Sequence, residues 1–360
     1  MADEFNPDLL RVARQARGMS QAELSTTAQV SQAAISKLEN GLVDVPSVEL
    51  LEKLAAALKF PRSLFFEPDR VYGLPISVHS MYRKKASVGE RALHQLEAEI
   101  NLRLLHFRRL LKSAVIEPEL SRPHMDPDEY AGGPEQVAAL VRRTWLVQAG
   151  PVKNLTELVE RSGCIVVHCD FSAIGVDGVT LQAPGLPPTI FLNRDQPADR
   201  MRFTLAHELG HIIMHKVPSP TMDDEADAFA SAFLMPAGDV RPYLTGGLGL
   251  ARLASLKPIW RVSMAALLYR AKAIGAISSN QSSYLWRQLS AQGYRRREPV
   301  ELEFARELPT SLPEIIRVHM EDLGYDLGDL SRLLHVETDE ISRFQPIKVS
   351  AVGQTLRVIK

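Results

Sequence analysis

Two histidines and a glutamate lie close together in "FTLAHELGHIIMH", residues 203–215. His207 and His211 are four residues apart, and Glu208 directly follows the first of them. Two imidazoles one helical turn apart can each give a nitrogen to one tetrahedral Zn²⁺. The ion lowers the pKa of its bound water, and a glutamate beside the first histidine can accept that water's proton. The spacing therefore predicts a zinc site with Glu208 as its general base, against the alternative of an ordinary solvated helix face.

The stretch divides into two faces when it is drawn as an α-helix. At ~100° per residue, His207, Glu208 and His211 fall on one side. The opposite side is apolar and consists of Leu205, Leu209, Ile212 and Ile213. Gly210 removes bulk beside the polar face, which is useful where a sheet or a substrate must come close. We therefore expect the apolar side to pack into a core while the polar side presents the ligands.

A third protein ligand is expected from the acidic start of "MDDEADAFASAFLMP", residues 222–236. On a helical wheel Asp223 and Glu225 border the apolar face, one on each side, whereas Asp224 points away from it. Glu225 has the longer side chain and is better seated inside the helix, so we predict Glu225 as the ligand. Asp223 stays open as the alternative.

His215 lies one further turn along the histidine helix. It is four residues beyond His211 and falls on the same side of the wheel. Three roles are open for it: a spare ligand, a donor to the transition state, or a residue that supports the ligands. A histidine at the rim of the helix without a chemical role is the more common case.

The elements around these residues predict mainly helical structure with a small sheet, an α+β arrangement. Strand patterns occur in "CIVVHC", "VDGVTLQ" and "TIFLNR", all before the histidine helix. The third follows Pro187 and Pro188, and proline cannot donate to a ladder, so residues 189–194 are expected at a sheet edge. An extended substrate could add itself there as another strand. Helices are expected at about 88–114, 198–216, 222–233, 248–293 and 303–344.

Bulk composition excludes several classes of protein. The chain has 360 residues, is 45% hydrophobic and carries a net charge of -1. It is therefore expected to be globular, with any nucleic-acid binding confined to local patches. It begins without a signal-peptide pattern and has no apolar run of ~18 residues, so no membrane partner is expected. Two cysteines in a strand pattern, Cys164 and Cys169, fit buried thiols in a cytoplasmic protein.

The central motifs resemble those of the ImmA/IrrE zinc metallopeptidases, a gluzincin-like group. The resemblance rests on "RFTLAHELGH" followed by "EADAFASAFLMP", and it extends over roughly residues 154–297. It implies that His207, His211 and the later Glu225 hold Zn²⁺ and that Glu208 is the general base. The density of acids before Ala226 keeps Asp223 as an alternative ligand.

The first third of the chain contains "SQAELSTTAQVSQAAISKLENG", which resembles the Cro-type (XRE) helix-turn-helix over about residues 9–66. Ser20 and Glu23 form a capping-box pattern, and Ser31 is a second N-cap candidate. The resemblance implies a third helix in the major groove of double-stranded DNA. The contacts it implies to base edges are made by Gln32, Ala33 and Ser36, and those to phosphates by Gln21, Lys37 and Asn40.

Charge gives only partial support to DNA binding. Residues 1–66 contain seven Lys/Arg and eight Asp/Glu, a net of -1. Residues 81–112 contain eight basic and three acidic residues, a net of +5, and could add phosphate contacts. Binding as a homodimer on paired half-sites would compensate for a weakly charged unit. A helical bundle that binds a protein partner is the alternative.

Four regions and two functions follow from these motifs. We expect a helix-turn-helix domain at 1–67, a linker with an amphipathic helix at 68–133, a peptidase domain at 134–298 and a helical region of unknown role at 299–360. The leading hypothesis is a DNA-binding transcriptional regulator that is also a zinc metalloendopeptidase, and the resemblance implies a repressor protein as substrate. The alternative is a transcription factor or antitoxin whose zinc site is structural or sensory. An intact Glu208 favours the enzyme.

Overall fold

The computed structural model describes residues 4–73, 89–171, 175–341 and 355–358. Within these residues the chain is mainly helical and carries one three-stranded and one two-stranded sheet. The predicted fold class is thereby confirmed. None of the described helices is long and apolar enough to cross a membrane.

The N-terminal unit consists of four helices and a 3-10 turn around one core. The helices are α1 (Pro7–Ala16), α2 (Gln21–Ala28), α3 (Gln32–Glu39) and α4 (Val48–Leu58), and the turn is Arg62–Phe66. Their starts are set by side-chain caps: Ser20 and Glu23 form the predicted capping box, and Ser31 and Ser47 cap α3 and α4. The core of the unit includes the fully buried Leu10, Leu24, Ile35 and Leu54.

The long helix α5 (Glu90–Leu110) joins this unit to the rest of the molecule. One side of α5 contributes Ala98, Leu102 and Leu105 to the N-terminal core. Its other side packs into a second core, beneath the sheet, and includes Leu96, Ile100, Leu104 and Phe107. Because α5 is buried on two sides, it ties the two cores together.

The three-stranded sheet has the strand order β2-β4-β3. After a short β1 (Ala114–Glu117), its strands are β2 (Ile165–Cys169), β3 (Gly178–Leu181) and β4 (Thr189–Asn193). β4 pairs parallel with β2 and antiparallel with β3. The expectation that residues 189–194 form an edge strand is therefore wrong. Pro187 and Pro188 precede the ladder instead of lying in it, so both sides of β4 are free to pair.

Helices cover one side of the sheet and enclose the largest core. They are α6 (Gly133–Thr144), α7 (Leu155–Arg161), α8 (Ala198–Met214), α9 (Met222–Leu234), α10 (Ala237–Leu244), α11 (Leu250–Trp260), α12 (Met264–Ala273) and α13 (Ser279–Ala291). The histidine motif lies on α8, whose Leu205 and Leu209 are buried in this core as predicted. The acidic motif opens α9, which packs along α8 and α6.

The C-terminal region is less helical than its pattern indicates. Helix was expected from about residue 303, but residues 303–310 are irregular and α14 (Ser311–Arg317) starts later. After a π-helical turn come α15 (Leu327–Leu334) and α16 (Thr338–Ile341), and β5 (Thr355–Val358) pairs antiparallel with β1. Ile315, Ile316, Leu330 and Leu334 enter the core beneath the sheet. Packing against the sheet, which local periodicity does not report, therefore sets where these helices begin.

Buried carboxylates fasten this region to the central body. The Oε2 of Glu307 accepts hydrogen bonds from the backbone N–H groups of Leu155 and Thr156, and its Oε1 forms an ion pair with Arg202 of α8. Glu298 likewise pairs with the buried Lys257 at 2.7 Å. The helix that carries the histidines is thus braced by the C-terminal region.

Candidate metal centre and DNA-reading face

The crossing of α8 and α9 brings the candidate ligands together. A methyl group at Gly210 would lie 3.3 Å from the Cα of Ala226 and 3.1 Å from Cδ1 of Phe229. Gly210 therefore lets the two helices approach closely, as small residues do at tight crossings. Close approach at Gly210 was expected for a sheet or a substrate, but the neighbour is α9. The glycine of the motif accordingly sets the distance between the histidines and the acidic residues.

His207 and His211 point their Nε2 atoms at each other. The two atoms are 3.0 Å apart, and both side chains are largely buried, with 16% and 9% exposed. The Nδ1 of His207 is 2.7 Å from Oδ1 of Asp227, and the Nδ1 of His211 is 2.9 Å from Nδ1 of His215. Because a carboxylate only accepts, Nδ1 of His207 carries a proton, and in the neutral ring its Nε2 then holds a lone pair.

Asp223, and not Glu225, completes the cluster with these two histidines. Ligand atoms of His207, His211 and Asp223 all lie within 4.8 Å of one another, with Oδ1 of Asp223 at 3.7 Å from Nε2 of His211. Glu225 instead contacts His215 and accepts a hydrogen bond from Thr221. The predicted third ligand is thus not brought to the pair. Asp223 and Glu225 border the apolar face of the helix on opposite sides, and packing turns the side with Asp223 toward His207 and His211.

The predicted general base lies beside this cluster and is held by the sheet. Glu208 is 5% exposed, and its Oε2 accepts a hydrogen bond of 2.6 Å from Oγ1 of Thr180 on β3. A methyl group at Gly178 of the same strand would lie 2.6 Å from Cγ2 of Thr204 and 3.4 Å from Oε1 of Glu208. A glycine at this position therefore allows α8 to lie against β3 with the carboxylate between them.

The surroundings shift the pKa values of His211, His207 and Glu208 in different ways. Burial, together with the neighbouring His207 and His215, lowers the pKa of His211 to about 2. Burial acts against protonation of His207 too, but the hydrogen bond to Asp227 and the charge of Glu208 outweigh it and raise the pKa of His207. Burial also raises the pKa of Glu208. The His211 ring is consequently neutral, and the Glu208 carboxyl group holds a proton more readily than an exposed one does.

Two residues of this site, Thr180 and Asp227, were missed from the sequence. Asp227 is four residues after Asp223, a spacing that places both on one side of α9 and that would have indicated a pair. Thr180 carries no such signal, because its contact with Glu208 joins a strand and a helix 28 residues apart.

The N-terminal unit presents the start of α3 to solvent. Gln32, Ala33 and Lys37 are exposed and Ser36 is half-buried, as a groove-reading helix requires. The other two predicted contacts are engaged within the unit. The amide of Asn40 donates to the backbone of Ser36 at 2.8 Å, and the amide of Gln21 donates at 2.9 Å to Glu39, which is paired with Arg14.

The basic segment 81–112 uses much of its charge inside the protein. Residues 83–85, with three of its cations, lie outside the described residues. Arg91 pairs with Glu23, Arg108 with Asp69, and Arg109 with Glu67 and Asp69. Arg108 and Arg109 therefore serve the contact between α5 and residues 67–69, whereas the pair of Arg91 and Glu23 lies at the surface.

Two later helix pairs repeat the turn between α2 and α3 of the N-terminal unit. The first helix of each pair ends in a left-handed residue, Gln29 in α2–α3, Arg261 in α11–α12 and His335 in α15–α16. Ser25 donates to the carbonyl of Val30 and Ser331 to that of Val336. The exposed positions that open α16 are Thr338 and the acidic Asp339, which would repel phosphates. The start of α16 therefore differs in charge from that of α3, where Gln32, Ala33 and Lys37 are exposed.

Comparison with known protein families assigns both parts of the chain. Residues 10–65 match the helix-turn-helix family, and residues 159–272 match the IrrE N-terminal-like domain family. The first match contains α2 and α3, and the second contains His207, Glu208, His211 and Asp223. No curated protein matches the chain. The protein therefore joins an XRE-type helix-turn-helix domain and an IrrE-like metallopeptidase-type domain in one polypeptide.

Proposed function

We propose that this protein is a DNA-binding transcriptional regulator with a zinc-dependent metalloendopeptidase centre. One observation carries the proposal: the Nε2 atoms of His207 and His211 face each other at 3.0 Å. The Nδ1 of His207 is already bonded to Asp227 and that of His211 to His215. With both rings neutral, as metal-binding imidazoles are, two lone pairs at this distance repel each other unless a cation lies between them. Tetrahedral Zn²⁺ with nitrogens at ~2.0–2.1 Å implies a nitrogen separation of ~3.3 Å, close to that found.

The donor set also fits zinc. His207, His211 and Asp223 offer two imidazole nitrogens and a carboxylate oxygen, which is the composition of a catalytic site with one position left open. Asp227 would orient His207 from behind, as a carboxylate does for many metal-binding histidines. We assign the three ligands accordingly, with Asp223 in the place first expected for Glu225.

Glu208 performs the proton transfers in the proposed hydrolysis. When bound, Zn²⁺ supplies a Lewis acid for water and for the scissile carbonyl. Glu208 accepts the proton of the attacking water and delivers it to the leaving nitrogen as the peptide bond breaks. Thr180 fixes the carboxylate through its 2.6 Å hydrogen bond to Oε2. We assign proton transfer to Oε1, the carboxylate oxygen that the Thr180 hydroxyl does not bind.

We place the substrate alongside β3. Within the described residues β3 pairs with β4 on one side only, and it carries Thr180 next to Glu208. An extended peptide can bond to the unpaired backbone groups of such an edge. The preferred cleavage sites would then be extended or locally unfolded segments, in a repressor that carries a related DNA-binding unit.

The first experiment replaces Glu208→Gln. The variant should keep its fold and its zinc but lose cleavage of candidate repressors by ~10²–10⁴-fold or more, because an amide cannot accept the water's proton. Asp224→Asn, at an exposed position of α9, is the matched control and should cut normally. Cleavage is followed on gels with and without a chelator, and zinc by metal analysis. If the wild type holds zinc and binds its promoter but cuts none of the repressors, a structural or sensory zinc site replaces the peptidase.

The second experiment tests the DNA-reading face, which we propose acts in a homodimer on paired half-sites. Gln32→Ala should change base preference at one position of each half-site by ~1–3 kcal/mol. Lys37→Ala should weaken binding to all sequences. It should also reduce the slope of the logarithm of the binding constant against the logarithm of the salt concentration by about one. Lys53→Ala, on α4, is the control. Footprints unchanged in both reading variants would move the DNA site elsewhere. Point variants are preferred to deletion of residues 1–66, which would expose Leu102 and Leu105.

A further inference from the structure

His215 and Glu225 have no part in the hydrolysis proposed above, yet they contact each other and the metal ligands. His215 directly follows the end of α8, and its side chain is 6% exposed. Its Nδ1 is 2.9 Å from Nδ1 of His211, and its Nε2 is 2.9 Å from Oε2 of Glu225. The Oγ1 of Thr221 donates to the other carboxylate oxygen at 2.6 Å. The carboxylate is therefore held at both oxygens.

With a neutral His215, hydrogen-bond chemistry assigns the protons along this chain. The Glu225 carboxylate accepts, so Nε2 of His215 donates. A neutral imidazole has one donor and one acceptor nitrogen, so Nδ1 of His215 accepts. Nδ1 of His211 must then donate to it, which leaves the lone pair of His211 on Nε2. This is the nitrogen that faces Nε2 of His207 at 3.0 Å.

We infer that His215 and Glu225 form a positioning pair that holds His211 in its metal-binding tautomer. The inference rests on the proposed zinc centre and assigns two residues that the hydrolysis does not use. His207 obtains the same tautomer directly from Asp227 at 2.7 Å. Within the described residues, Nδ1 of His211 meets no carboxylate of its own and reaches Glu225 through His215. His207 is thus bonded directly to Asp227 of α9, whereas His211 reaches Glu225 of α9 through His215.

The pair also links the end of α8 to the first turn of α9. Glu225 lies three residues into α9, and His215 lies at the C-cap of α8. A change in the intervening segment 216–221 would therefore act on the tautomer of His211 without touching a ligand. Outer partners of metal-binding histidines typically change metal affinity by ~10–100-fold when they are removed.

The test compares two substitutions of His215 in the full chain. His215→Phe keeps the shape of a ring but removes the acceptor, and it should weaken zinc binding by ~10–100-fold in a chelator competition. His215→Asn places its amide oxygen near the former Nδ1, so it should recover affinity to within a few-fold of the wild type. Glu225→Ala should weaken binding as well and serves if the phenylalanine variant misfolds. Asp224→Asn is the control.

A second readout needs no metal and no activity. Long-range proton–nitrogen correlation spectra of histidine-labelled, metal-free protein report which ring nitrogen carries the proton. The wild type should show His211 protonated at Nδ1, and His215→Phe should lose this preference. A His211 protonated at Nε2 in the wild type overturns the inference, as does equal zinc affinity in wild type and His215→Phe. Equal weakening by the phenylalanine and asparagine variants would show that His215 only packs. A wild type that binds no zinc overturns both this inference and the proposed function.

Discussion

Asp223 and Glu225 are two residues apart on α9, but the structure gives them different partners. Asp223 lies with His207 and His211, whereas Glu225 lies with His215. Both are partly buried carboxylates of one helical turn, so their chemistry is the same and only their direction differs. At this scale the identity of a ligand depends on which edge of the helix faces its neighbour.

A ranking of three alanine variants tests this assignment. Asp223→Ala removes a ligand and should lose zinc almost completely. Glu225→Ala removes an outer partner and should weaken zinc binding by ~10–100-fold. Asp224→Ala, which is exposed, should bind as the wild type does. Zinc content and affinity are measured for each purified variant. Full occupancy in Asp223→Ala together with loss in Glu225→Ala would show that Glu225 is the ligand.

At the scale of elements, the site depends on how closely α8 and α9 cross. The two helices approach at Gly210 and Ala226, and their polar residues meet beside that crossing. A side chain at Gly210 would contact the backbone of α9 and the ring of Phe229, neither of which is a flexible side-chain end. A larger distance between α8 and α9 would therefore move the candidate ligands apart.

Gly210→Ala should weaken zinc binding and lower the free energy of unfolding. Overpacking of a tight interior typically costs ~1–3 kcal/mol, and the helix propensity gained by replacing glycine offsets about 1 kcal/mol of that. Gly238→Ala is the matched control, since it also lies in a helix but has no atom within 4 Å of the added methyl group. Both properties are measured by chelator competition and urea unfolding. Wild-type zinc affinity in Gly210→Ala would show that the crossing distance does not govern the site.

At the scale of the whole molecule, the C-terminal region is part of the support of the candidate metal centre. Glu307 bonds the start of α7 and pairs with Arg202 on α8, one turn before the motif that contains His207. The same region reaches the DNA-reading unit, where Glu340 pairs with Arg17 at 2.8 Å and His335 contacts Ser63. The C-terminal region therefore contacts both the N-terminal unit and the helix that carries the histidines.

Glu307→Ala should destabilise the protein by ~3–5 kcal/mol, because it leaves the buried Arg202 without its partner. The change is measured as a lower urea midpoint of unfolding. Glu303→Ala, at an exposed position of the same irregular segment, should stay within ~0.5 kcal/mol of the wild type. An unchanged midpoint for Glu307→Ala would mean that the C-terminal region contributes little to the stability of the central body.

The sequence by itself determined the features that depend on local spacing. The four-residue interval between His207 and His211, the capping box of Ser20 and Glu23 and the mixed fold class all follow from the periods of helices and strands. These patterns are complete within one element, so they can be recognised without knowledge of its neighbours.

Only the tertiary structure decided which elements meet and which of their sides face each other. It placed β4 in the middle of the sheet and brought Thr180 to Glu208. It also turned Asp223 toward the histidines and started the first C-terminal helix at Ser311 instead of near residue 303. Each of these outcomes joins residues from different elements. The physical reason is that packing between helices and strands selects among local alternatives of nearly equal free energy, and periodicity along the chain does not record that selection.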